Sequence, residues 1–320
     1  MFWLLGIVLG IVMLYFGSDW LVDGAKKLAI RLGIAPFVIG LTVLAFGSSA
    51  PECITSIVST SNPDIIMGNV IGSNIANIGL CIGLAAILHP IVAKYASMRF
   101  EIITMVFSAL LITILGISGF IGFIDGLILM TLLIIFVLSV YFMKRGNTAA
   151  QESYTSEVDT EIDRSRKKLF LWICMCIVGL VLLYFGARFF VEGATELARI
   201  MGISELMIGL IVVAIGTSLP ELCISLIASF RGENELAVSN IVGSNIFNAF
   251  FVLGVGATLV DVPVVQNTLI FHMPMMIFLS VLMFLMVYRN DGISKRSGAL
   301  LLSVYIIYIA IMAINPSLTM

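Results

Sequence analysis

Long apolar runs separated by short polar breaks fill most of this 320-residue chain. A helix needs about twenty apolar residues to cross a bilayer. By that measure the pattern predicts about ten spans, at 2–19, 34–58, 65–91, 100–119, 121–143, 169–190, 203–229, 236–260, 268–288 and 298–315. The run from Phe2 to Gly17 has no basic flank before it and no small-residue cleavage pattern after it, so it reads as a first span rather than a signal peptide. One hydrophilic stretch is long. It starts at Lys144 and Arg145, turns acidic through Glu152, Glu157, Asp159, Glu161 and Asp163, and ends basic at Arg164, Arg166, Lys167 and Lys168. It is too short and too polar to bury a core, and reads as a linker at 144–168 between five helices at 1–143 and five more at 169–320.

The two sets are copies. Leu14-Tyr15-Phe16-Gly17 returns as Leu183-Tyr184-Phe185-Gly186, Gly24-Ala25 as Gly193-Ala194, and Ile39-Gly40-Leu41 as Ile208-Gly209-Leu210. Gly47-Ser48-Ser49-Ala50-Pro51-Glu52 returns as Gly216-Thr217-Ser218-Leu219-Pro220-Glu221. The stretch from Asn69 through Gly72, Ser73 and Asn74 to Asn77 matches that from Asn240 through Gly243, Ser244 and Asn245 to Asn248. An odd number of spans per copy makes the second copy enter the membrane from the opposite side. The expected fold is therefore an all-α polytopic membrane protein of ten transmembrane helices, arranged as two inverted five-helix repeats.

Composition agrees: 60% of residues are hydrophobic and 11% charged, against about 25% charged in soluble domains. No nucleic-acid partner is expected; the net charge of −2 says little about partners, but the placement of charge is informative. In the ten-span arrangement every lysine and arginine except Arg188 and Arg199 falls on one side. The positive-inside rule makes that side cytoplasmic, with the 144–168 linker on it and both termini outside, across the cell membrane. Cys53, Cys81, Cys174, Cys176 and Cys223 all lie in apolar stretches without metal-type spacing and read as small buried hydrophobes.

The chemistry sits in the repeated motifs. Proline has no N–H and crowds the carbonyl one turn back, so Pro51 frees the carbonyl of Gly47 and Pro220 that of Gly216. Freed carbonyls, hydroxyls and carboxylates are oxygen ligands suited to hard cations such as calcium. Steps of four keep Ser48, Glu52, Ser56 and Thr60 on one helix face, and Thr217, Glu221, Ser225 and Ser229 on another. Asn69, Ser73 and Asn77, and likewise Asn240, Ser244 and Asn248, form two further stripes. Serines and the outer Asn69 and Asn240 serve equally well to tie helices together. Glu52 and Glu221 do not fit that role: an intramembrane carboxylate is costly, and these four helices hold no lysine or arginine to pair with it. His89 and His272 read as boundary or packing residues. Asp19, Asp23, Arg188 and Glu192, at span ends, read as solvated or snorkelling. Gly6 and Gly10, Gly68 and Gly72, and Gly79 and Gly83 permit close helix approach. With no HExxH, no Gly-x-Ser-x-Gly and no Walker lysine, neither hydrolysis nor nucleotide-driven pumping has residues to carry it.

At the paired Gly-(Ser/Thr)-Ser-x-Pro-Glu and Gly-Ser-Asn-x-x-Asn elements the chain resembles the sodium/calcium exchanger family of the cation/calcium antiporter superfamily, in its prokaryotic form. The resemblance implies a non-enzymatic antiporter that carries calcium and sodium, needs no cofactor and works as a monomer in the bilayer. It implies calcium ligation by Glu52 and Glu221 with carbonyls at Ser48 and Thr217, and a central position completed by Asn77 and Asn248. Sodium would use these residues with Ala45, Ser49 and Ser73 on one side and Ala214, Ser218 and Ser244 on the other. Several members, the potassium-dependent branch among them, have aspartate where this chain has Asn248. The linker is too short for the regulatory calcium-binding domains of animal exchangers. Two alternatives remain: a proton/calcium antiporter, whose branch typically has histidine where Cys53 and Leu222 stand here, and a cation channel with a carboxylate filter.

Overall fold

The computed structural model describes residues 2–32, 36–144, 166–202 and 214–318, and these are mostly helical. Helices α1 (Phe2–Leu32) and α7 (Arg166–Ile200) run well beyond the predicted spans 2–19 and 169–190. In α1 the helical period outlasts the apolar run. Leu21, Val22, Ala25 and Ala29 stay buried, while Lys26 and Lys27 keep their heads partly exposed. Arg31 in the last turn suits the negative end of the helix dipole.

The two long helices pack antiparallel, because ascending glycines on one meet descending positions on the other. Gly6 faces Phe189, Gly10 faces Gly186 and Phe190, Gly17 faces Gly179, and Gly24 faces Trp172 and Cys176. A Cβ on Gly10 would stand 2.7 Å from the Phe190 nitrogen and 2.8 Å from the Gly186 oxygen, both backbone atoms that cannot step aside. Gly10→Leu should therefore force the pair apart. The expected cost is about 1–3 kcal/mol or more, read as a lower melting temperature of the detergent-solubilised protein or a loss of folded material.

The predicted span 34–58 is broken. Within it, α2 (Gly40–Ser48) and α3 (Ala50–Ser61) meet at a 47° bend. Ser49 at the break has φ −84° and ψ 3°, and Pro51 occupies the first turn of α3. The second copy repeats the device. Between α8 (Ala214–Thr217) and α9 (Leu219–Phe230), Ser218 has φ −93° and ψ 6°, with Pro220 in the first turn of α9. Residues 203–213 of the predicted span 203–229, like 145–165 of the linker, lie outside the described residues.

The centre is formed by α4 (Asp64–Leu88) and α10 (Asn234–Leu259), the most buried of the long helices. Each widens into a π turn that begins at its last motif asparagine, over Asn77–Ile82 in α4 and Asn248–Val252 in α10. Such turns interrupt the regular i−4 ladder and recur at functional sites. Around them stand α5 (Tyr95–Gly116), α6 (Phe123–Lys144), α11 (Thr268–Asn290) and α12 (Lys295–Ile314). Among the described residues eight helices are long and apolar enough to cross a membrane, and the bent pair α2–α3 makes a ninth.

Two short ladders depart from the all-α expectation. Strand β1 (Ile91–Val92) pairs antiparallel with β4 (Gly292–Ile293), and β2 (Phe120–Ile121) with β3 (Val262–Pro263). They are two residues long and lie between helices, where the chain is extended for too few residues to show a period in sequence. Their placement is informative. β1 follows α4 as β3 follows α10, and β2 precedes α6 as β4 precedes α12. Each ladder thus joins one half to the other, and exchanging the halves exchanges the ladders. The same exchange relates the packing of α6 on α10, through Gly126 and Gly254, to that of α12 on α4, through Gly298 and Gly83.

Candidate functional site

Each glutamate helix touches both central helices. Helix α3 packs on the first part of α4 and on the π turn of α10, and α9 packs on α10 and on the π turn of α4. This crossing places Glu52, Ser73, Asn77, Glu221, Ser244 and Asn248 in the interior, each at most 3% exposed. Ser48, from the break in α2–α3, reaches across to the second half, its hydroxyl 3.3 Å from Ser244 Oγ and 3.4 Å from Asn240 Oδ1. The Ser48 and Ser49 side chains lie beside the Glu221 carboxylate, which in turn acts electrostatically on Glu52. First-half hydroxyls therefore sit with a second-half acid.

The oxygen atoms gathered here are largely unpartnered. Among the described residues both carboxylate oxygens of Glu52 and of Glu221, the hydroxyls of Ser49, Ser56, Ser73 and Ser218, and both amide atoms of Asn248 are buried without a hydrogen-bond partner. Burying even one such group costs about 1–3 kcal/mol, and an ionised carboxylate costs more. A fold tolerates that where a cation from outside supplies the missing partner. The donors are carboxylate, amide, hydroxyl and carbonyl oxygens, which suit hard cations rather than zinc or copper. No group of three or more His, Cys, Asp or Glu that could hold a metal occurs among the described residues.

The other predicted residues divide. The Ala45 carbonyl lies at the break, accepting from the Ser49 nitrogen at 3.0 Å and from the Ser48 hydroxyl at 3.3 Å. Ala214 opens α8, and its side chain lies outside the described residues. Thr217 is half-buried and lines a cavity of about 210 Å³ with Pro51, Gly216, Pro220 and Arg188. A larger cavity of about 670 Å³ runs between the first break, at Gly47, Ser48 and Pro51, and Leu180 and Tyr184 of α7. Both breaks thus open on space beside α7.

The outer amides turn out to be braces. Asn69 Nδ2 donates to the Glu52 carbonyl at 3.2 Å, and Asn240 Nδ2 donates to the Glu221 carbonyl at 3.3 Å and to Ser225 Oγ at 3.2 Å. At the outer end of the α9 stripe, Ser229 donates to the His89 carbonyl at 3.2 Å. His272 is a buried packing residue, with Nδ1 2.7 Å from Tyr308 Oη and Nε2 2.6 Å from the Leu318 carbonyl. Asp19 and Asp23 are not simply solvated. Arg231 pairs with both, Lys27 pairs with Asp23 at 2.7 Å, and Lys26 pairs with Glu233, which ties the end of α1 to the α9–α10 connection. Only the folded chain brings Arg231 and Glu233 to α1, so span-end spacing could not reveal these pairs.

Three interior residues escaped the stripes. Asn74 and Asn245 lie one position beyond the serines of the four-step pattern, yet each donates to the other's backbone carbonyl at 3.2 Å. Their identical places in the two copies were the available signal. Glu101 is 1% exposed. It stands one turn before Met105, whose sulfur lies 3.8 Å from Asn245 Nδ2. Its position beside Arg99, at the edge of a predicted span, hid it.

Comparison with known proteins identifies the family. The model of the family described as sodium/calcium exchanger protein matches residues 2–142 and 171–314. The chain is 35% identical over 305 residues to an uncharacterised membrane protein, MJ0091, of Methanocaldococcus jannaschii, covering 95% of each chain. It is 30% identical over 344 residues to the sodium/calcium exchanger MaX1 of Methanosarcina acetivorans, covering 96% of this chain and 97% of the relative. The solved structure of the sodium-calcium exchanger NCX_Mj soaked with zero Na+ and Ca2+ superimposes with a TM-score of 0.84 at 33% identity, over 97% of this chain and 98% of the other. A family match across both halves, together with likeness along the full length, makes this chain a membrane protein of the sodium/calcium exchanger family.

Proposed function

We propose that this chain, a sodium/calcium antiporter by family, carries both ions through one buried site by alternating access, as ten helices in two inverted copies. Glu52 and Glu221 ligate calcium directly, aided by the carbonyls at Ser48 and Thr217, and Asn77 and Asn248 complete the central position. Sodium takes these positions together with Ala45, Ser49 and Ser73 in one copy and Ala214, Ser218 and Ser244 in the other. The observation that carries the reading is the pair of buried carboxylates, one per copy, with all four oxygens unpartnered among the described residues. The exchangeable ladders and matched helix breaks support the inverted arrangement. Both termini face outward from the cell membrane and the linker faces the cytoplasm, on the charge asymmetry of the loops.

The test is radiolabelled calcium uptake into proteoliposomes of the purified protein, with sodium, proton and potassium gradients imposed separately. Uptake driven by an opposing sodium gradient is expected. Uptake driven by protons alone would replace the reading with a proton/calcium antiporter, and passive calcium conduction without counter-ion would replace it with a channel. The linker has no part in the chemistry. Replacing Asn147 to Asp163 with a Gly/Ser segment of equal length should preserve exchange. Loss of exchange by a folded, inserted variant would assign the segment a regulatory role.

A further inference from the structure

Asn74 and Asn245 occupy matching places in the two copies and cross between α4 and α10. Asn74 Nδ2 donates to the Asn245 carbonyl and Asn245 Nδ2 to the Asn74 carbonyl, each at 3.2 Å. A backbone carbonyl only accepts, so each amide is held with its NH2 toward the opposite helix and its oxygen turned away. Beyond this point the two halves differ. Asn245 Oδ1 accepts from Asn77 Nδ2 at 3.0 Å. The NH2 of Asn77 is thereby occupied and its oxygen is presented, with the weak thiol donor of Cys81 at 3.9 Å. In the other half Asn74 Oδ1 and both amide atoms of Asn248 are buried without a partner among the described residues.

We propose that Asn74 and Asn245 are positioning residues that decide, one copy at a time, which site amide turns its oxygen to the ion. Here Asn245 holds Asn77. In the state open to the opposite side of the membrane Asn74 holds Asn248, because inverted copies reach that state by exchanging roles. An amide left to rotate offers a cation its NH2 as readily as its oxygen, and the NH2 repels it. The inference rests on the proposed exchange through inverted copies.

The experiment measures the KM for calcium at each membrane face, in right-side-out and inside-out vesicles bearing the full-length protein. Asn245→Ala should raise KM about three- to tenfold, the worth of one hydrogen bond, at one face only. Asn74→Ala should do the same at the opposite face, with kcat little changed in both. Equal shifts at both faces, or a change confined to kcat, would overturn the positioning role. Serine versions accompany the alanine ones, and failure of both to fold would make the asparagines structural and equally overturn it. Wild-type vesicles without sodium-driven calcium flux would sink the transport reading itself, an outcome distinct from active wild type with symmetric variants.

Discussion

Glu52→Gln and Glu221→Gln should each abolish calcium exchange and leave a folded protein. Calcium affinity follows the charge of its ligands, and each change removes half the formal charge of the proposed site. Leaving an ion's partner uncompensated in a buried setting costs about 3–5 kcal/mol, a hundredfold or more in affinity. The amide has the shape of the acid it replaces, so packing survives. Stability gives the matching sign. Both carboxylates are buried without hydrogen-bond partners among the described residues and act on each other. Neutralising one should therefore raise the melting temperature of the calcium-free protein and remove the further rise that calcium brings to the wild type. Radiolabelled uptake and thermal melting with and without calcium check both halves. Near wild-type rate and affinity in either variant would remove that glutamate from the ligand set.

Sodium-driven calcium flux should follow voltage and ignore potassium. With neutral asparagines at 77 and 248, the two glutamates leave the proposed site at a charge of −2 when ionised. One calcium neutralises it. A stoichiometry of three sodium ions per calcium would leave the sodium-loaded carrier one charge more positive. A mobile unit charge is worth about 2.3 kcal/mol per 100 mV, so that voltage should move the calcium ratio at equilibrium about fifty-fold. An aspartate at 248 would add a negative charge and favour a further cation such as potassium, and Asn248 does not. The measurement is flux in vesicles with potential clamped by valinomycin at symmetric potassium, then in potassium-free medium with voltage set by another permeant ion. Flux indifferent to voltage would mean two sodium per calcium. Flux lost without potassium would overturn the role given to Asn248.

Much of the candidate site was legible because its signals are local. Polar residues every fourth position in an apolar run mark one helix face, and a proline two positions beyond a serine marks a break. The structure has those breaks at Ser49 and Ser218 and buries Glu52 and Glu221 beside them. Legibility stopped where a residue's partner comes from elsewhere in the chain. Asn69 and Asn240 read equally as ion ligands or as ties between helices, and only the fold shows their amides spent on the carbonyls of Glu52 and Glu221. Asp19 and Asp23 looked like solvated span ends until Arg231 met them.

The sequence by itself determined that this chain lives in a membrane, that it is written twice, and where each copy breaks its helix and carries its acid. Hydropathy, periodicity and the missing N–H of proline act over one or two turns and need no knowledge of neighbours. The tertiary structure alone decided that α1 and α7 extend past their apolar runs and lie glycine to glycine, and that the halves are joined by two short ladders. It also decided that Asn245 holds Asn77. Those facts depend on the rotation and register of one helix against another. Rotation and register are set by close packing summed over the whole interface, which no local stretch of sequence contains.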